Sequence, residues 1–477
     1  MKDKKDIDKS IDMDIEMENQ KEYSFKVRDM NIGRQKKYVV NTFGCQMNEH
    51  DSEKLVGMLT DMGYVKADCS EDADIVIFNT CCVRENAEFK VIGNVGALKS
   101  LKRKNPDLLI AVCGCMMQQR EVVDYIKQKF KHVDIVFGTH NLHRFPQFVY
   151  TVLDSKNRVY EVWENEDKIY EGVSIKREES YKAYVTIMYG CNNFCSYCIV
   201  PYVRGRERSR KMEDVLDEIK LLVKNGVREV MLLGQNVNSY GNDLPNNLTF
   251  SDLLEKIDEI EDLWRIRFMT SHPKDLSDAL INTMKNSKKI CKSLHLPLQS
   301  GSSSVLKQMN RNYTKEKYLE LIERIRYHVG DIAISTDIIV GFPGETNDDF
   351  KDTLDVVRKV KFDLAYTFLY SKRTGTKAAK AENQVPDSVK NKRFQELLSL
   401  QTNICKELNE PYTDSLQEVL VEGKSKTNKQ KLTGRTSTNK VVNFEGDLSL
   451  VGKLVLVRID EAKTWSLEGS FEKVLKQ

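Results

Sequence analysis

Twice along these 477 residues, short apolar runs alternate with longer amphipathic ones. That rhythm admits few folds, because strand–helix–strand repeats build parallel sheets covered by helices. Runs 37–43, 74–79, 108–113 and 133–137 read as buried strands, with helices over 51–62 and 84–102 between them. In the second series, runs 183–188, 229–233, 265–270, 293–296, 332–340 and 364–370 read as strands, and 212–224, 251–260, 315–327 and 348–360 as helices. About six such units predict a partial (β/α)6 barrel with its site at the C-terminal mouth. Past 411 the helices give way to five strand-like runs, 415–422, 430–436, 441–444, 453–459 and 465–469. These predict a small antiparallel β-barrel. The expected class is α/β, with an N-terminal open parallel-sheet domain at 36–154, a linker at 155–180, a barrel core at 181–410 and the small barrel at 411–477. Residues 1–35 mix both charge signs with few large apolar side chains, which predicts a disordered charged extension.

The cysteines fall on this frame in two groups. Cys45, Cys81 and Cys115 each sit just past the end of one of the first three strands. In an open parallel sheet those ends share one edge, where ligands bind, so the three thiols converge. Cys69 and Cys405 fit ordinary buried cysteines, as do Cys82 and Cys113. After the first strand of the second series comes Tyr189-Gly190-Cys191-Asn192-Asn193-Phe194-Cys195-Ser196-Tyr197-Cys198, a C-x3-C-x2-C loop. Three thiolates leave one metal position open, and an iron with a vacant site can hold a small-molecule ligand. Phe194 and Tyr197 can shield a cluster from water. A zinc site borrowing a distant fourth ligand, or three unrelated core cysteines, stands as the alternative, although zinc sites usually pair C-x2-C units.

Charge and hydropathy narrow the class further. Lys and Arg number 74 against 71 Asp and Glu, a net charge of +3, so any RNA contact must come from a local patch. Lys424, Lys426, Lys429, Lys431, Arg435 and Lys440 form one such cluster in the tail, and a solvated face is its bland reading. Arg204, Arg206, Arg208 and Arg210 are candidates for a carboxylate or for RNA phosphates. With no apolar run of about 18 residues and a charged start lacking the apolar stretch of a signal peptide, the expectation is a cytoplasmic protein with no membrane span. In that compartment eleven cysteines argue for metal ligation over disulfides.

The cysteine loop is the signature spacing of radical S-adenosylmethionine (AdoMet) enzymes. From about 36 to 477 the chain resembles their methylthiotransferase family, which carries a three-cysteine N-terminal domain, a radical AdoMet barrel and a C-terminal TRAM domain. The resemblance rests on Asn41-Thr42-Phe43-Gly44-Cys45-Gln46-Met47-Asn48, Asn79-Thr80-Cys81, Gly114-Cys115, Leu233-Gly234-Gln235-Asn236-Val237-Asn238-Ser239-Tyr240-Gly241, the run 294–302 and the run 336–346. It implies an auxiliary 4Fe–4S cluster on Cys45, Cys81 and Cys115 and a radical AdoMet 4Fe–4S cluster on Cys191, Cys195 and Cys198. AdoMet would serve both as methyl donor and as radical source, with Gly234, Gln235, Asn236, Ser293, His295 and Gly341 as binding candidates. His295 lies among apolar residues and also reads as a hydrogen-bonded core histidine. No catalytic residue is expected beyond the cluster ligands. The motifs look like the branch acting at C2 of isopentenyl(dimethylallyl)adenosine beside the tRNA anticodon. The alternatives are the threonylcarbamoyladenosine branch and the branch modifying a ribosomal-protein aspartate. An adenine C–H has no useful acidity, so a deoxyadenosyl radical, not a base, must open it; this requires a low-potential donor such as flavodoxin or ferredoxin. An isopentenyl group would prefer an apolar wall near the barrel mouth.

Overall fold

The computed structural model describes residues 4–82, 85–164, 168–177, 179–245 and 247–477. The chain divides into two compact units. The first comprises Met1–Glu178, Tyr189–Asn192 and Ile199–Arg210, and the second comprises Glu179–Met188, Asn193–Cys198 and Lys211–Gln477.

The first unit is built on a six-stranded parallel sheet in the order Val65–Lys66, Lys37–Thr42, Ile75–Thr80, Leu109–Gly114, Ile135–Phe137, Val159–Glu161. Every residue of Ile75–Thr80 and of Leu109–Gly114 is buried, as befits central strands covered on both faces. Leu55, Leu59, Ile77, Phe137 and Phe148 pack on one face, and Val76, Phe78, Ile110, Val112 and Val136 on the other. Thr42 pairs with Asn79 and Thr80 with Gly114, so three strands end level with one another. This register brings their following loops to a common edge.

Two expectations for this unit are corrected. The segment taken as a linker, 155–180, contributes the sixth strand, with Ile135 opposite Val159; its residues 165–167 and 178 lie outside the described residues. A three-residue strand between charged flanks carries too little period to be read from sequence. The expected disordered extension is instead a helix, Lys4–Met30. Val27 on it is fully buried, Tyr23 packs on Tyr150 with ring centroids 5.4 Å apart, and Gln20 Nε2 donates to Gln147 Oε1 at 3.2 Å. Polar groups make much of this seam, which is why no apolar stripe marks it. The helix expected at 84–102 runs Glu85–Lys104, and Arg84 lies outside the described residues.

The second unit holds six parallel strands. Arg265–Phe268, Glu229–Leu233 and Lys182–Thr186 form one sheet, and Ser293–His295, Ala333–Val340 and Leu364–Leu369 form the other. A parallel bridge from Ile266 to Ile290 connects them. Val185, Val230, Leu232, Ile266, Ile334, Ile338 and Val340 share one core with Val215, Leu254, Ile322 and Val357 of the covering helices. Their strand neighbours therefore turn to the inner face of the half-barrel.

Five strands, Leu416–Lys424, Leu432–Arg435, Val441–Phe444, Leu454–Ala462 and Leu467–Lys476, close the C-terminal barrel. All pairs are antiparallel except Val441–Phe444 with Leu467–Lys476. This small barrel docks at the N-terminal ends of the large barrel's strands. Buried Arg265 donates to the carbonyls of Arg435 (2.7 Å) and Glu418 (3.0 Å). Arg267 donates to the Thr436 carbonyl at 2.8 Å and is charge-balanced by Glu229 at 3.0 Å. Among the described residues no helix is long and apolar enough to cross a membrane.

Candidate active site

The level strand ends of the first unit gather the expected thiols. The helix Gln46–Asp61 starts directly after Cys45, which fixes that thiol beside the next strand end. The Cys81 thiol hydrogen-bonds to Cys45, and this, assisted by Arg204, lowers the Cys45 thiol to about 6. The Cys82 thiol bonds to Cys115 and lowers it, with Arg204 adding to the effect against burial. Cys113 is also buried, and burial pushes its thiol well up. Cys69 is exposed and Cys405 buried, so the expectation of a buried Cys69 fails. Arg204 is the residue whose role the sequence did not reveal. It is 5% exposed, donates from Nε to Cys115 Sγ at 3.1 Å and pairs with Asp51 at 2.8 Å. Burial works against its charge, and the Asp51 carboxylate with the thiols outweighs it. Arg210, also buried, forms a two-point ion pair with Glu171 at 2.6 and 2.7 Å.

The cysteine loop is divided between the two units, Cys191 with the first and Cys195 and Cys198 with the second. Within the second unit the loop is clasped by the segment after Ser303–Gln308. Ser196 N donates to the Met309 carbonyl and Ser196 Oγ to that of Gln308, both at 2.9 Å. Asn310 Nδ2 reaches the carbonyls of Asn193 and Phe194 at 3.1 Å each. Tyr197 packs with Val305, Met309, Phe342, Tyr370 and Ala378, and Ile339 joins the same group. Arg311, which nothing in its local sequence distinguishes, is buried and donates to Cys195 Sγ at 3.5 Å and to the Pro297 carbonyl at 3.0 Å.

Among the described residues no three His, Cys, Asp or Glu side chains are grouped to hold a single metal ion. A cubane binds each thiolate at a different iron, so closeness around one ion is not what it needs. Thiols biased toward thiolate beside a cation are what it needs, and Cys45 and Cys115 meet that condition.

The binding candidates separate by depth in the barrel. A Cβ on Gly234 would stand 2.6 Å from Met188 Cγ, and Gly341 sits at φ +75 with Lys390 pressed against it; both need glycine. Gln235 Oε1, Asn236 Oδ1, Asn238 Oδ1 and Ser271 Oγ are buried with no hydrogen-bond partner among the described residues. All four follow the C-terminal ends of the second and third barrel strands, and Asn236 is steadied by Asp275 at 2.7 Å. Orphaned acceptors are costly when buried and suit the ammonium end of an amino acid. His295 lies midway on the inner face, bonded to Ser335 Oγ at 3.0 Å and 3.4 Å from Asp337. Ser293 does not join them. It starts its strand, at the opposite end of the barrel, and accepts from Arg267 at 3.3 Å, the same arginine that holds the C-terminal barrel.

The tail's basic cluster is split. Lys431 pairs with Glu468 at 2.6 Å, Arg435 with Glu422 at 3.4 Å and Lys440 with Asp363 at 2.7 Å. Lys424, Lys426 and Lys429 are exposed.

Comparison with known proteins agrees with this architecture. Residues 185–357 match the radical SAM superfamily, 37–138 the uncharacterized protein family UPF0004, and 412–471 the TRAM domain. The fold is similar to that of a radical S-adenosylmethionine methyltransferase, TsrM, from Kitasatospora setae. That match has a TM-score of 0.54 and 13% identity, and covers 72% of this chain and 77% of the other. A tRNA-2-methylthio-N(6)-dimethylallyladenosine synthase of Acetivibrio thermocellus is 58% identical over 95% of this chain and 96% of its own length. One of Clostridioides difficile is 57% identical over 92% of each. The chain therefore belongs to the family of tRNA-2-methylthio-N(6)-dimethylallyladenosine synthases, which are radical S-adenosylmethionine methylthiotransferases.

Proposed function

We infer that this protein adds a methylthio group to C2 of N6-dimethylallyladenosine beside the anticodon of tRNA. The observation that carries the reading is identity above 50% along nearly the whole chain to relatives named for that product. The buried, unpartnered oxygens at the barrel mouth support it from the structure. Cys191, Cys195 and Cys198 would hold one 4Fe–4S cluster, and Cys45, Cys81 and Cys115 a second. Bound there, clusters and AdoMet supply the one-electron chemistry and the sulfur that an unactivated aromatic C–H requires.

The protein's own groups bind, orient and shield. Gln235, Asn236, Asn238 and Ser271 offer acceptors to the AdoMet ammonium group. Tyr197 and its apolar neighbours keep water from one side of the cysteine loop, while Arg204 favours the thiolate form of Cys115 and Arg311 sets a cation beside Cys195 Sγ. The exposed Lys424, Lys426 and Lys429 can meet tRNA phosphates without first breaking an ion pair. A cytoplasmic location and a donor such as flavodoxin or ferredoxin complete the proposal. The test compares tRNA carrying dimethylallyladenosine, threonylcarbamoyladenosine or unmodified adenosine by nucleoside mass spectrometry after turnover. Methylthiolation of the first alone is expected. A preference for the second, or thiolation of a ribosomal protein, would overturn the branch assignment.

A further inference from the structure

Leu364–Leu369 is the last strand of the half-barrel and one of its open edges. It carries an unusual amount of uncovered apolar surface: Tyr366 is 42% exposed and Phe368 41%. Side chains two apart on a strand share a face, and the pairing shows which face this is. Tyr366 lies opposite Asp337 and Phe368 opposite Ile339. Because Ile338 and Val340 belong to the core beneath the helices, Asp337 and Ile339 point inward, and Tyr366 and Phe368 do the same. The Tyr366 ring meets His295 edge-on at 5.8 Å, which agrees with that direction. Ile339 in turn packs in the group containing Tyr197, which directly precedes Cys198. An apolar surface thus runs from the cysteine loop through Ile339 to Phe368, at the end of the barrel where the sites of such folds lie.

We propose that Phe368, flanked by Tyr366 and Ile339, is the wall that receives the dimethylallyl group of the substrate nucleoside and sets the preference for it. The proposal rests on the substrate reading above. A branched five-carbon substituent entering the barrel must leave water, and Phe368 offers exposed apolar surface beside Ile339, which packs in the group that holds Tyr197. The same wall disfavours a threonylcarbamoyl group. Its carboxylate would lie against the apolar faces of Phe368 and Ile339 and near the Asp337 carboxylate, a repulsive element of the kind that selectivity uses.

The experiment uses the full-length reconstituted protein and two tRNAs, one with dimethylallyladenosine and one with unmodified adenosine. Their dissociation constants are measured for the wild type, Phe368→Ala and Phe368→Leu, with AdoMet affinity in parallel. The wild type should favour the alkylated tRNA by about tenfold, the scale of apolar discrimination in a pocket. Phe368→Ala should erase most of that ratio and raise KM more than it lowers kcat, while Phe368→Leu keeps most of it. A ratio unchanged in Phe368→Ala overturns the proposal, and if AdoMet affinity falls instead, the wall belongs to the cofactor. No wild-type preference would refute the substrate reading itself, a result separable from the variants' behaviour. Phe368 lies on an open edge, so truncating it leaves no sealed cavity.

Discussion

Two buried arginines each donate to a cysteine sulfur, one in each unit, and they are balanced differently. Arg204 in the first unit has the Asp51 carboxylate at 2.8 Å as well as Cys115. Arg311 in the second has Cys195, the Tyr313 hydroxyl and the Pro297 carbonyl, with no carboxylate at ion-pair distance among the described residues and the more distant Asp275 acting on it. A buried cation without a counter-charge is costly until an anion arrives. The first site is therefore charge-balanced before it binds anything. The second leaves a positive charge for a thiolate cluster to neutralise, so its occupancy and its arginine are more tightly coupled.

The largest expected effect separates the two sites altogether. Cys195→Ala should abolish reductive AdoMet cleavage, whereas Cys81→Ala should still release deoxyadenosine under strong reductant and attach no sulfur. Chromatographic counting of both products checks this, and full methylthiolation by Cys81→Ala would break the division of labour. Next is the stability of the cluster-free protein. Arg204→Met strands the buried Asp51 and should cost about 3–5 kcal/mol, whereas Arg311→Met removes an unbalanced charge and should cost under about 1 kcal/mol. Thermal unfolding of the two apo-variants ranks them, and an equal loss would erase the contrast drawn above. The same Arg311→Met protein should retain less iron on reconstitution than Arg204→Met.

A smaller effect concerns protonation in the cluster-free first unit. With its thiol lowered to about 6, Cys45 is thiolate above that pH and protonated below it. Its alkylation rate should rise through about pH 6 and level off by neutrality, while Cys113, pushed up by burial, stays unreactive. Mass spectrometry of labelled peptides reads both. The smallest effect belongs to cations that are not buried at all. Replacing Lys424, Lys426 and Lys429 with Gln should reduce the salt slope of tRNA binding by about 0.7–0.9 for each phosphate that is no longer neutralised. An unchanged slope would mark them as a solvated face.

Sequence reading reached the parts of this molecule that period and spacing encode. All six barrel strands and the five tail strands were legible from apolar runs between turn residues, and the thiol groups from their positions at strand ends. The helix Lys4–Met30 was not, because it docks through Gln20, Tyr23 and Val27 instead of a leucine stripe. The strand Val159–Glu161 was not, because three residues define no period. At the candidate site, Gly234, Gln235 and Asn236 lie just past the C-terminal end of the second barrel strand. That Ser293 starts its strand, at the opposite end, was not legible, since register along a barrel strand decides which end a residue occupies and sequence does not report register. Arg204 and Arg311 act through partners far away in the chain, Asp51 and Pro297, so no local pattern announces them.

The attachment of the C-terminal barrel has one further consequence. Arg265 and Arg267 end on the main-chain oxygens of Glu418, Arg435 and Thr436, not on their side chains. Any residue that keeps the same backbone path presents the same acceptors. The C-terminal barrel can therefore vary in side chain at Glu418, Arg435 and Thr436 without a compensating change at Arg265 or Arg267. These arginine contacts are specified from one side only, whereas the ion pairs Lys440–Asp363 and Lys182–Glu422 tie particular side chains of the small barrel to the body.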